Sequence, residues 1–227
     1  MSSYSVLHQE KIEAHITFIR IKPNDVAATL REIITSLADL SWINKFDADY
    51  VRTSLTVRAQ STVDYLTANI IKATDDSITT DSGEYVVSEL ARKSLIEQLL
   101  YSDIPLAELI KQQRSGNPGF DFYCENLSLV VLFGEAKYNS NQNAYGLALE
   151  QIVRFECEKR DHSDLVDIER FCKPQSLTNA SQNTKGYVAA FSCRTTDTKT
   201  LIKNIKENEN FKLLTKFHEL VCVAVEL

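Results

Sequence analysis

Two carboxylates and a lysine stand at spacings that suit metal-assisted hydrolysis. Asp121 lies in Gly119-Phe120-Asp121-Phe122-Tyr123, and fourteen residues later Glu135 and Lys137 sit two apart in Phe133-Gly134-Glu135-Ala136-Lys137. Side chains two apart on a strand point to the same face. Glu135 and Lys137 therefore project together, beside Asp121 on a neighbouring strand. Such a convergence at the edge of a buried sheet is costly unless the groups are paired, metal-bound or used. Asp121 and Glu135 offer the oxygens a hard cation prefers, Mg2+ or Mn2+ in its place, and the Ala136 carbonyl offers a third. A cation held there would lower the pKa of a bound water and neutralise charge on a phosphoryl oxygen. Lys137 would position that water or stabilise the pentavalent phosphate. The two acids keep it protonated until metal binds, which argues against a simple general-base role.

These residues need elements to carry them. Leu127, Leu129, Val131 and Phe133 fall on one parity, with Val130, Leu132 and Gly134 on the other, which predicts a strand over 127–133 buried on both faces. Ser115-Gly116-Asn117-Pro118-Gly119 is a turn cluster that introduces Asp121. Upstream, 84–101 reads as a helix with Val86, Leu90, Leu95 and Leu99 as its apolar stripe; Glu84 lies in its first turn, where the helix dipole favours an anion. A short helical piece over 103–113 follows. Downstream, 144–160 reads as a helix, 161–170 as its continuation, 174–186 as a polar loop, 187–193 as a strand, 198–218 as mostly helix and 220–227 as a strand. Towards the N-terminus, 10–22 alternates like a half-buried strand (Ile12, Ala14, Ile16, Phe18), a helix follows to Leu40, 49–58 reads as a strand on Val51, Leu55 and Val57, and 65–72 as a short helix. The expected architecture is α/β: a mixed central sheet flanked by helices over 81–227, with an N-terminal α+β subdomain over 1–80.

At 227 residues the chain can bury a core without disulfides. Its five scattered cysteines form no CxxC pair, which fits a reducing cytoplasm and argues against a zinc site. His15 and His218 read as structural. The net charge of −6 argues against a nonspecific nucleic-acid coat protein but leaves room for a local basic groove, for which Lys111, Arg114, Arg154 and Lys185 are the candidates. No apolar run approaches the length of a membrane span, so a cytoplasmic protein is expected. Trp42, with Phe46 nearby, reads as packing. P-loop, GxGxxG, GxSxG and HExxH motifs are absent.

Gly119-x-Asp121, a hydrophobic strand and Gly134-Glu135-x-Lys137 together resemble the active-site pattern of the PD-(D/E)xK nuclease superfamily, with Phe120-Asp121 in place of the usual Pro-Asp. The resemblance covers 83–155 well and implies a restriction-endonuclease-like core. It implies that Glu84 is the helix glutamate many members add to the metal site, and that Gln151 matches a glutamine found on the next helix in several branches. Within the superfamily, an N-terminal strand–helix–strand module over 1–80, the Gly-Glu at a helix start, the Gly-x-Asp and Gly134-Glu135-Ala136-Lys137 are similar to the HamA nuclease family of Hachiman antiphage systems. That implies a deoxyribonuclease working beside a helicase subunit, HamB, on DNA.

The site expected from all of this is Asp121, Glu135, Lys137 and Gln151 as catalytic residues, with Glu84, Asp121, Glu135 and the Ala136 carbonyl on the metal. Glu89 and Glu97 compete with Glu84, although Glu89 can instead pair with Arg92 or Lys93 as surface charge. Glu125 reads as exposed. The alternative is a catalytically silent binding or assembly module that keeps the fold, its acids serving structure and residues 1–80 docking the partner.

Overall fold

A computed structural model describes residues 4–70, 80–111 and 119–227, with the side chains of 66–70 and 80–82 left aside. Six strands form one mixed sheet: β1 (Tyr4–Glu13), β2 (Ile16–Pro23), β3 (Phe122–Glu125), β4 (Val131–Lys137), β5 (Lys185–Cys193) and β6 (Glu219–Glu226), in the order β1-β2-β6-β5-β4-β3. β2, β6, β5 and β4 run parallel, and the antiparallel β1 and β3 close the two edges. The inner strands are apolar runs rather than alternations because helices cover both faces.

The helices are α1 (Val26–Ala38), α2 (Asp49–Ile70), α3 (Thr80–Leu99), α4 (Ala107–Ile110), α5 (Tyr145–Cys157), α6 (Arg160–Ile168), α7 (Pro174–Ser181), α8 (Thr198–Glu207) and α9 (Glu209–Leu214), with a 3-10 turn at Ser41–Lys45. On one face of the sheet, Val131 and Phe133 of β4 join Ala148, Leu149, Ile152 and Phe155 of α5 in a single core. On the other, Leu132 and Ala136 meet Val86, Val87, Leu90 and Ala91 of α3. Val87 and Leu90 are wholly buried, each contributing about 2 kcal/mol. α3 and α5 are thereby fixed on opposite sides of the strand that carries Glu135 and Lys137.

The expected α/β architecture with a mixed, helix-flanked sheet is the one observed. The N-terminal segment adds its hairpin to the same sheet, through the parallel pairing of β2 with β6, and supplies residues to both cores: Ile16 and Phe18 to one, Ile19 and Ile21 to the other. The expected boundary near residue 80 falls beside residues 71–79, outside the described residues.

Four local expectations are corrected. Residues 10–22 are not one half-buried strand: they span the β1–β2 turn, and β2 is buried on both faces. Residues 49–58 are the first half of α2, not a strand. Val51, Leu55 and Ala59 are buried at four-residue spacing while Val57 is 68% exposed, so the true period is helical. The loop expected over 174–186 contains α7, opened by Pro174, whose fixed φ suits a first helical turn. Residues 127–130 are a turn before β4. The Asn126 carboxamide accepts the Ser128 and Val130 N–H groups at 2.8 and 2.9 Å, and Leu129 takes a φ of 62°. Among the described residues no helix is long and apolar enough to cross a membrane.

Candidate active site

Asp121 is held from three sides. Its N–H donates to the Gly134 carbonyl at 2.9 Å, and its own carbonyl accepts the Ala107 N–H at 2.9 Å. Its Oδ2 accepts the Ala136 N–H at 2.8 Å. The antiparallel register pairs Phe122 with Gly134, which brings Asp121 level with Glu135. Gly134 permits this approach: a Cβ there would lie 2.3 Å from the Phe122 ring. Ala136 thus joins the site through its N–H, which orients Asp121, in addition to the carbonyl role expected of it.

Glu135 and Lys137 project together, as their spacing predicts. The Glu135 side chain is completely buried, and the Lys137 ammonium lies 2.9 Å from its Oε1. Among the described residues, neither Glu135 oxygen has hydrogen-bond geometry with a partner. Lys137 also lies 3.4 Å from Oε1 of the half-exposed Glu84 on α3. Of Glu84, Glu89 and Glu97, Glu84 is therefore the one that reaches this cluster. Glu89 binds Arg92 through two 2.8 Å contacts, and it is buried rather than a surface charge. Glu97 accepts the Tyr4 hydroxyl at 2.7 Å.

Electrostatics follow from burial. Desolvation raises the Asp121 pKa to about 6, against the opposing pull of Lys137 and the Ala136 N–H. Desolvation, then the charge of Asp121, drives Glu135 well above the carboxylate range. For Lys137, burial works against the ammonium, but Glu135, Asp121 and Glu84 outweigh it and lift its pKa. The expectation that Lys137 stays protonated beside the acids agrees with this direction.

A further acid was missed from the sequence. Glu108 on α4 has a buried Oε2 with no hydrogen-bond partner among the described residues. Burial, followed by the charge of Asp121, raises its pKa to about 8. Burial and then Glu108 also raise the neighbouring Tyr85 hydroxyl. The signal lay in Leu106-Ala107-Glu108-Leu109-Ile110, one acid inside an apolar run that has to be buried.

Other expected residues lie elsewhere. Gln151 is half-buried on α5 and, among the described residues, has no hydrogen bond to the charged cluster. Glu125 is buried, not exposed, because the Lys173 N–H donates to it at 2.8 Å. Two lysines of the expected phosphate groove are instead buried in ion pairs, Lys111 with Asp164 at 2.8 Å and Lys185 with Asp161. Arg154 is exposed, its guanidinium over the Phe155 ring, and Arg114 lies outside the described residues. His15 has a structural partner in the Thr215 carbonyl at 2.7 Å. Trp42 packs on Phe171 with ring centroids 5.6 Å apart.

Among the described residues, no three His, Cys, Asp or Glu side chains form a ready-made metal cage. Mg2+ does not require one, since it keeps several waters and takes one or two carboxylates. The half-buried Asp121 and the buried Glu135, whose two oxygens lack hydrogen bonds among the described residues, fit that demand. The chain matches no family model and no curated protein, so its functional reading rests on its own residues.

Proposed function

We propose that this chain is a metal-dependent deoxyribonuclease of the PD-(D/E)xK type, hydrolysing DNA phosphodiester bonds as the HamA-like effector of an antiphage complex with a HamB-like helicase. The observation that carries this reading is Glu135. Among the described residues its completely buried side chain meets one cation, the Lys137 ammonium 2.9 Å from Oε1, and neither oxygen has hydrogen-bond geometry; a metal ion at the open oxygen would offset more of a desolvation cost of several kcal/mol.

In this reading Asp121 and Glu135 hold Mg2+ or Mn2+, with Glu84 reaching in from α3. The bound cation supplies a more acidic water and charge neutralisation at the phosphoryl group. The Ala136 N–H fixes the direction of the Asp121 carboxylate. Lys137, with its raised pKa, keeps its proton and acts as a donor. It orients the attacking water and stabilises charge on a phosphoryl oxygen, an electrostatic role rather than that of a base. Glu84 keeps the ammonium in place.

A second reading is a silent nuclease-fold module. It is favoured by the contacts of Lys137 with both Glu135 and Glu84, which make a self-neutralising cluster. Plasmid nicking with Mg2+, with and without the helicase and nucleotide, separates the two. The nuclease reading expects cutting by the wild type and a loss of about 100-fold or more in a Glu135→Ala, Lys137→Ala double variant. Equal nicking by the folded double variant refutes the catalytic assignment. A wild type that never cuts, even in the complex, favours the silent module.

A further inference from the structure

Asp164 sits on α6, outside the charged cluster, yet it holds the chain on both sides of Asp121. Its Oδ2 accepts the Phe120 N–H at 3.0 Å and the Tyr123 hydroxyl at 2.7 Å. Its Oδ1 lies 2.8 Å from the Lys111 ammonium. Lys111 in turn approaches the Phe120 carbonyl at 3.5 Å and stands 5.3 Å from the centre of the Tyr123 ring. The Asp164 and Lys111 side chains are 4% and 6% exposed. Gly119 lets the pair close, since a Cβ there would fall 2.2 Å from Lys111 Nζ and 2.8 Å from Asp164 Oδ1.

A buried ion pair of this kind adds little net stability compared with apolar side chains of the same volume. What it fixes is geometry. One carboxylate oxygen binds the residue just before Asp121 and the residue two after it. Among the described residues, the hydrogen bonds that position Asp121 itself are those of its backbone and the one from the Ala136 N–H. Loosening Phe120 and Tyr123 frees the Asp121 carboxylate to leave that N–H.

We propose that Asp164, braced by Lys111, is a positioning residue that holds the Asp121 carboxylate on the Ala136 N–H and so sets the site's affinity for a divalent cation. The metal half of this statement rests on the nuclease reading; the positioning half does not.

The test uses the full chain with Asp164→Asn and, as a milder change that keeps volume, Tyr123→Phe. Amide exchange at Ala136 is compared with that at Val223 in the distant β6, and Mn2+ binding is followed by calorimetry. Asp164→Asn should speed Ala136 exchange by about tenfold relative to Val223, Tyr123→Phe by about threefold, and both should weaken Mn2+ binding. Unchanged Ala136 exchange, or equal acceleration at both amides, overturns the proposal. If Asp164→Asn fails to fold, the Tyr123→Phe comparison decides by the same criterion. Selective release of Ala136 in a protein whose wild type binds no Mn2+ upholds the clamp and removes the nuclease reading.

Discussion

Lys137 Nζ lies 2.9 Å from Glu135 Oε1, two residues earlier on the same strand, yet neither Glu135 oxygen has hydrogen-bond geometry with a described residue. The contact is an ion pair whose geometry does not satisfy the buried carboxylate. Lys137 keeps a second carboxylate, Glu84, 3.4 Å away. Removing the Glu135 charge while keeping its shape should therefore stabilise the metal-free protein. Glu135→Gln is expected to raise unfolding free energy by about 1 kcal/mol at pH 8 in chelator, and to abolish cleavage. Urea denaturation measures the first effect and plasmid nicking the second. A loss of about 3 kcal/mol would instead mark a structural salt bridge whose removal leaves Lys137 uncompensated.

The acids predict how stability depends on pH. Burial raises Glu108 from 4.5 to about 8 and Asp121 from 3.8 to about 6. Across that window the folded protein keeps protons that the unfolded chain has released. Stability contributed by the neutral carboxyls is fully present below about pH 4 and is lost as pH rises through 6 and on to 8. Thermal melts in chelator should show a lower Tm at pH 8 than at pH 5. Glu108→Gln should flatten the upper part of this slope. Mg2+ at about 100 times its Kd should return about 2.7 kcal/mol at pH 8. A Tm that rises from pH 5 to pH 8 contradicts the placement of these carboxyls.

Glu135 and Lys137 were legible because a strand's two-residue period fixes relative direction whatever the tertiary context. Asp121 was legible as the partner acid because the strand pairing needed only a short connection. Glu108 was not, because its neighbour Asp121 is a tertiary one, reached when α4 docks through the Ala107 N–H. Lys111 and Lys185 failed as groove residues for the same reason: their partners, Asp164 and Asp161, lie 53 and 24 residues away on α6. In α2, the window around Val51, Leu55 and Val57 fits either period in sequence, and what decides is that Val57 is exposed while Val51, Leu55 and Ala59 are buried. The place of the N-terminal hairpin was also hidden, since pairing β2 with β6 joins opposite ends of the chain.

Gly134 is the residue where fold and site depend on the same contact. A Cβ at 134 would come within 2.3 to 2.6 Å of three Phe122 ring atoms. Phe122 is wholly buried against the α3 side of the sheet, so its ring cannot swing into solvent. The clash must be relieved by spreading β3 from β4, which moves Asp121 away from the Gly134 carbonyl and the Ala136 N–H. Gly134→Ala should cost about 1 to 3 kcal/mol, the usual range for overpacking, and should weaken Mn2+ binding. Phe122→Leu in the same chain removes the facing ring atoms and should recover most of the metal affinity, although it leaves a small cavity that limits recovery of stability. Denaturant unfolding and Mn2+ calorimetry on both variants check the pair. Full metal affinity in Gly134→Ala alone means that the β3–β4 approach does not set the position of Asp121.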